Sequence, residues 1–159
     1  MLKNTGLILL ALALLACCTE LAPNNLQTNT EQASTSGSSE GNLERWYEAS
    51  QVVRGATVFS DTCAVCHGAN AEGTAEDWRE PLADGSRPPP PLNGSAHAWH
   101  HRLSNLVQKI QTGGIDNGGK MPAFGDLLSD DDELAAIAYF QNFWNDETYT
   151  GWLDRGGVN

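Results

Sequence analysis

Cys63-Ala64-Val65-Cys66-His67 constrains this chain more than any other stretch. Two thiols three positions apart, followed at once by a histidine, make the Cys-x-x-Cys-His pattern through which a c-type haem is attached. The chemistry uses every part of it. The two sulfurs add across the two vinyl groups of one porphyrin, so their spacing must match the vinyl separation. The next residue then sits under the iron and can offer an imidazole nitrogen as proximal ligand. With four cysteines and four histidines among 159 residues, chance alone gives the pattern with a probability of about 0.0025. The competing readings are a zinc half-site, a thioredoxin-like redox pair and a structural disulfide. A zinc site needs a second ligand pair at suitable spacing, whereas Cys17 and Cys18 are adjacent and lie in a leader region. A thioredoxin-like pair sits in a β-α-β pattern, and none is apparent.

The chain opens as a targeting segment. Lys3 precedes an apolar run from Leu7 to Ala16. Ten residues fall well short of the roughly 20 that span a bilayer and fit the core of a signal peptide. The run ends in Leu14-Leu15-Ala16-Cys17, which resembles the bacterial lipobox, where the cysteine is lipidated and becomes the first mature residue. An ordinary secreted protein cleaved nearby and an uncleaved anchor are the alternatives. Cys18 has no clear role. Two or three acyl chains on Cys17 would hold the protein firmly, where one binds only marginally.

From Thr19 to about Asn42 the composition is Asn, Gln, Ser, Thr and Gly, with too few apolar residues to build a core. A flexible tether of this length has an r.m.s. span of about 27 Å. The expected organisation is therefore a lipoprotein signal peptide over 1–16, lipidated Cys17 and a polar tether over 17–42, and one folded domain over 43–159.

Within that domain the periodicity is helical. Ala49, Val52, Val53, Ala56 and Phe59 recur at steps of three and four just before the haem motif, as do Leu103, Leu106, Val107 and Ile110 further on. The second run stops at Gly113-Gly114. Ser129 reads as an N-cap, and Asp130 to Glu133 place negative charge where the helix dipole favours it. Leu134, Ile137, Ala138, Phe140 and Trp144 then form the stripe of a C-terminal helix. Long connections separate these elements: Gly68 to Pro88 is polar, and Pro88 to Pro91 is stiff and extended. A small all-α chain with such loops needs something to pack around, which the haem supplies.

An iron that carries electrons without binding other molecules needs a second axial ligand. Met1 leaves with the leader, so Met121 is the single methionine of the mature chain, in the Gly- and Pro-containing loop Gly118 to Phe124. Thioether ligation raises the reduction potential. The competitors are His97, His100 and His101. If that stretch is helical, His97 shares a face with both others, a spacing that suits copper or zinc; the preferred reading is a polar surface with one or two residues near the haem edge.

Taken together, these pieces resemble a class I monohaem cytochrome c, over residues 49–146 and in the family's order. Gly55 and Phe59 stand where the family has a glycine and an aromatic residue on its first helix. Cys63, Cys66 and His67 match its haem motif, and Met121-Pro122 its distal ligand loop. Pro90-Pro91-Leu92-Asn93-Gly94 is similar to its Pro-x-Leu-x-Gly stretch. There the resemblance implies that the Pro90 carbonyl accepts a hydrogen bond from the proximal histidine, fixing the ring. Tyr139 stands where an aromatic residue of the last helix crosses the glycine of the first. The resemblance implies a fold of three to five helices around one haem c. The long Gly68–Pro88 loop and the three histidines depart from the short family members.

Loss of Lys3 with the leader leaves 8 basic against 20 acidic residues, a net charge of −12. Such a surface argues against nucleic acid and favours a redox partner with a basic docking patch, with association weakened by salt. The expected protein is an exported, membrane-tethered, periplasmic single-electron carrier with no catalytic substrate. The alternatives are a haem subunit of a larger periplasmic oxidoreductase, or a haem or copper sensor or metal-delivery protein.

Overall fold

The computed structural model describes residues 43–159, in which five α-helices and two single 3-10 turns occur and no strand is present. The leader, Cys17, Cys18 and the tether lie outside the described residues. The helices are α1 (Ala49–Thr62), α2 (Ala64–His67), α3 (Leu103–Thr112), α4 (Asp130–Gln141) and α5 (Asp146–Asp154). The fold is all-α.

Helix α1 starts where the Gln51 side chain turns back to accept from the Glu48 N–H (3.0 Å). Its buried face is Gly55 and Phe59, one turn apart, while Val53 is 72% exposed and does not belong to the stripe its spacing suggested. Helix α2 follows within one residue and stops at Gly68, whose φ of 78° a side chain would resist. Helix α3 stops as expected, at Gly113 with φ 72°. Ser129 caps α4, its hydroxyl accepting from the Asp132 N–H at 3.2 Å.

Helix α4 departs from a simple stripe. Ala135, Ala136, Ile137, Ala138, Phe140 and Gln141 are all buried, because α1 and α3 both pack on it. Trp144 lies beyond its end. At the α1–α4 crossing the two backbones nearly touch: a Cβ built on Gly55 would stand 1.9 Å from the Ala135 carbonyl oxygen and 2.9 Å from the Tyr139 Cβ. The Tyr139 ring packs 5.0 Å from Phe59, and its hydroxyl donates to the Ala69 carbonyl (3.0 Å).

Helix α5 is the element that the sequence reading did not separate. Asn145 caps it by accepting from the Thr148 N–H (2.8 Å), and Tyr149 and Trp152 are fully buried. Its aromatic residues pin irregular chain. The Trp152 indole donates to the His101 carbonyl and the Trp144 indole to the Leu92 carbonyl, both at 2.7 Å. A buried Trp carries its apolar bulk only where its N–H finds a partner, and here the partners are loop carbonyls. Trp144→Phe keeps an aromatic ring but deletes that donor and leaves part of the indole's buried volume unfilled. It should lower unfolding free energy by about 2–4 kcal/mol with an unchanged denaturant slope. A shift in midpoint too small to resolve would assign the Leu92 carbonyl another partner.

Candidate functional site

The short helix α2 exists because Cys63 ends one helical ladder and begins the next: its N–H donates to Phe59 O and its carbonyl accepts from the His67 N–H, both at 2.9 Å. The result sets Cys63 half-buried, Cys66 exposed and His67 at the cavity wall, 8% exposed. The His67 Nδ1 lies 2.9 Å from the Pro90 carbonyl oxygen. A carbonyl only accepts, so the ring proton belongs on Nδ1, which leaves Nε2 with its lone pair free. Burial lowers the imidazole's pKa below its ordinary range, with the Pro90 carbonyl pulling the other way. At neutral pH the ring is therefore uncharged and able to ligate.

The segment carrying Pro90 is itself fixed. Leu92 and Asn93 N–H groups both donate to the Ala71 carbonyl (2.7 and 3.1 Å), and the Trp144 indole holds the Leu92 carbonyl. Cys63 and Cys66 form no disulfide. Burial, and secondarily Cys66, pushes the Cys63 thiol up to about 11. An activated redox pair needs a lowered thiol pKa, so this shift argues against a thioredoxin-like role.

Cys63, Cys66, His67 and Pro90 line one cavity of about 740 Å³, which Met121 also lines from the loop after α3. The volume falls in the range of roughly 300–1,000 Å³ usual for cofactor sites. Leu92, Leu106, Ile110, Phe124 and Phe140 supply apolar wall. The Met121 loop lies close against the end of α3: the Gly114 N–H donates to the Met121 carbonyl and the Phe124 N–H to the Ile110 carbonyl, both at 2.9 Å. A Cβ on Gly113 would come within 2.6 Å of that Met121 carbonyl oxygen, so glycine there admits the loop.

The long loop from Gly68 to Pro88 folds back onto the Met121 loop. The Arg87 N–H donates to the Gly118 carbonyl (2.9 Å), Arg87 forms an isolated parallel bridge with Gly119, and Lys120 Nζ pairs with Asp84 Oδ2 at 2.6 Å. It also brings Trp78 and Arg87 to the cavity wall. Neither was anticipated, and a lone aromatic in a polar loop offers no periodic signal that could have found it.

The three histidines separate. Residues Ala98–His100 make a 3-10 turn rather than the α-helical face the spacing suggested. His97 and His101 line the cavity, with rings 5.5 Å apart, while His100 is exposed and packs against Trp99 at 4.1 Å. Among the described residues no group of three or more His, Cys, Asp or Glu could hold a metal ion; the trio divides into two wall residues and one surface residue.

Two cysteines three apart, a neutral imidazole with a free Nε2 and a thioether, all on one largely apolar cavity, fit a covalently attached haem. An all-α fold built round such a cavity defines a c-type cytochrome. The chain belongs to the family described as cytochrome C oxidase, cbb3-type, subunit III, which matches residues 50–140. It is similar to the Cbb3-type cytochrome c oxidase subunit CcoP of Azospirillum brasilense, with 31% identity over 99 residues, covering 62% of this chain. The chain spans only 30% of that relative's length. No solved structure matches it.

Proposed function

We propose that this protein is a single-electron carrier holding one haem c, bound through Cys63 and Cys66, with His67 and Met121 as axial ligands. Export by the leader and lipidation at Cys17 would tether it on the periplasmic side of a bacterial membrane, a class I type of monohaem cytochrome with no catalytic substrate. The observation that carries the reading is the shared wall: His67, bonded to Pro90, lines the same cavity as both cysteines and Met121.

When bound, haem c supplies an iron that changes by one electron. The chain does the rest. Cys63 and Cys66 fix the group covalently, His67 offers Nε2 as ligand, and Pro90 keeps the imidazole in the correct tautomer and orientation. Met121 would hold the iron through its thioether, which favours the reduced state. Leu106, Ile110, Phe124 and Phe140 exclude water.

The family and the printed name of the relative support a terminal oxidase as electron acceptor. The same names favour a second reading, in which the chain is a standing subunit of such an oxidoreductase. The acidic surface suits a basic docking patch on the partner. Reduced protein mixed with membranes from its own source should be oxidised by oxygen. The rate should fall several-fold as salt rises from low to physiological, because exposed charges attract only within about 8 Å at 0.15 M ionic strength. Oxidase inhibitors should stop the reaction. Oxidation that ignores both salt and inhibitors would sink the carrier reading, and oxidation seen only after co-purification with the oxidase would favour the subunit.

A further inference from the structure

We propose that His97 is a redox-linked proton site, taking up one proton when the protein accepts an electron and releasing it when the electron leaves. The inference rests on the haem reading above.

His97 is set apart by its position. It lines the same cavity as His67 and Met121, but belongs to neither the attachment motif nor the Met121 loop. Its ring lies between Trp78 at 4.8 Å and His101 at 5.5 Å. Its Nδ1 is buried and has no hydrogen-bond partner in the protein. Every other buried ring nitrogen with a defined role has one: His67 on Pro90, Trp144 on Leu92, Trp152 on His101. A buried polar atom without a partner is costly to keep, so such an atom on a cofactor cavity points toward the cofactor's own polar groups.

The surrounding charges set the direction. No Asp or Glu lines the cavity, whereas Arg87, Lys109 and Lys120 do. On the loop side Arg79 stacks over Trp78, and His100 and His101 follow His97 three and four residues on. Burial first, then His101 and His100, lowers the His97 pKa; burial, His100 and Lys109 do the same to His101. These influences of the chain's own residues favour the neutral form of His97. An electron placed on the iron adds one negative charge to a poorly solvated cavity. The opposite charge most readily gained there is a proton on this imidazole, since an added negative charge favours the protonated form.

The balance is one electron from the redox partner and one proton from bulk water on reduction, with imidazole becoming imidazolium, and the same two particles returned on oxidation. Because the reduced form binds the proton more tightly, the midpoint potential must fall as pH rises through the oxidised-form pKa of His97. The chain's own residues push that pKa downward from the ordinary histidine value. The potential levels off above the reduced-form pKa.

Spectroelectrochemical titration of the full haem-loaded protein from pH 4.5 to 8.5 tests this. The wild type should show a falling potential that approaches one proton per electron at its steepest. His97→Gln should flatten the curve, and His100→Gln, on the exposed residue, should leave it sloping. A flat wild-type curve, or a slope that survives in His97→Gln, overturns the assignment. Should that variant not fold, a pH electrode in weakly buffered wild-type protein supplies the answer. Proton uptake on reduction supports the proposal, and its absence overturns it. A protein that shows a haem spectrum but no pH dependence fails this inference alone, whereas one without covalently bound haem fails the parent reading too.

Discussion

Met121→Ala should lower the midpoint potential and let the ferrous protein bind carbon monoxide. The fall should be a sizeable fraction of the roughly 0.8 V over which axial ligands set haem potentials. The fold should survive the change. Met121 is only half-buried, and the bonds that hold its loop, Gly114 N–H to the Met121 carbonyl and Phe124 N–H to the Ile110 carbonyl, belong to the backbone. Truncation therefore removes a thioether and leaves the loop in place. The loss of packing should stay below the roughly 2–5 kcal/mol seen when a fully buried Met becomes Ala. Electrochemistry and a carbon monoxide difference spectrum read the result. A potential and spectrum like the wild type's would remove Met121 from the ligand role and return His97 and His101 to consideration.

Gly55→Ala, the smallest change possible at the helix crossing, should be among the most damaging to stability. Helix propensity alone favours Ala over Gly by about 1 kcal/mol. The added Cβ, however, would stand 1.9 Å from the Ala135 carbonyl oxygen, about 1.4 Å inside an ordinary C···O contact of roughly 3.3 Å. The obstacle is backbone on both sides, so no rotamer relieves it. Moving α1 off α4 loosens the Phe59–Tyr139 pair and the Tyr139 bond to Ala69, two residues past His67. Overpacking of this kind costs about 1–3 kcal/mol or more. A net loss of about 2 kcal/mol corresponds to a fall in Tm of roughly 6–15 °C. Calorimetry within 2 °C of wild type, taken as about the resolution of such a shift, would show that the crossing has slack.

Much of this architecture was legible because the relevant signals are local. The ends of α3 and α4 are written in Gly113 and Ser129, whose conformational and capping preferences act within one turn. The haem motif is legible because its chemistry dictates spacing. Less was legible where distant chain decides. Val53 fits the helical period of α1 but faces solvent, since the crossing on α4 selects Gly55 and Phe59 instead. Helix α5 carried a readable signal, Asn145 before Asp146 and Glu147 with Tyr149 and Trp152 one turn apart. Trp144 continues the apolar period of α4 past its end, which masks the break at Asn145. The histidine trio divides because the 3-10 turn spans only Ala98–His100: His97 and His101 flank it on the cavity wall, while His100 packs on Trp99 outside. Trp78 and Arg87 reach the cavity only because their loop is tied to residues 118–120, a long-range event without periodicity.

That tie also divides the molecule into two tiers of stability. The α1–α4 crossing is buried, dense in backbone contact and shared with the residues that hold His67. The methionine side hangs on a few backbone bonds and on Asp84–Lys120, an ion pair whose side chains are both about half exposed, and exposed pairs add little. Amide hydrogens of α1 and α4 should exchange only on global unfolding, and those of residues 114–124 by local opening, as hydrogen exchange would read. The axial bond from Met121 would join the two tiers, so the ligand that tunes the potential would also be the clasp that makes the weaker half exchange with the stronger.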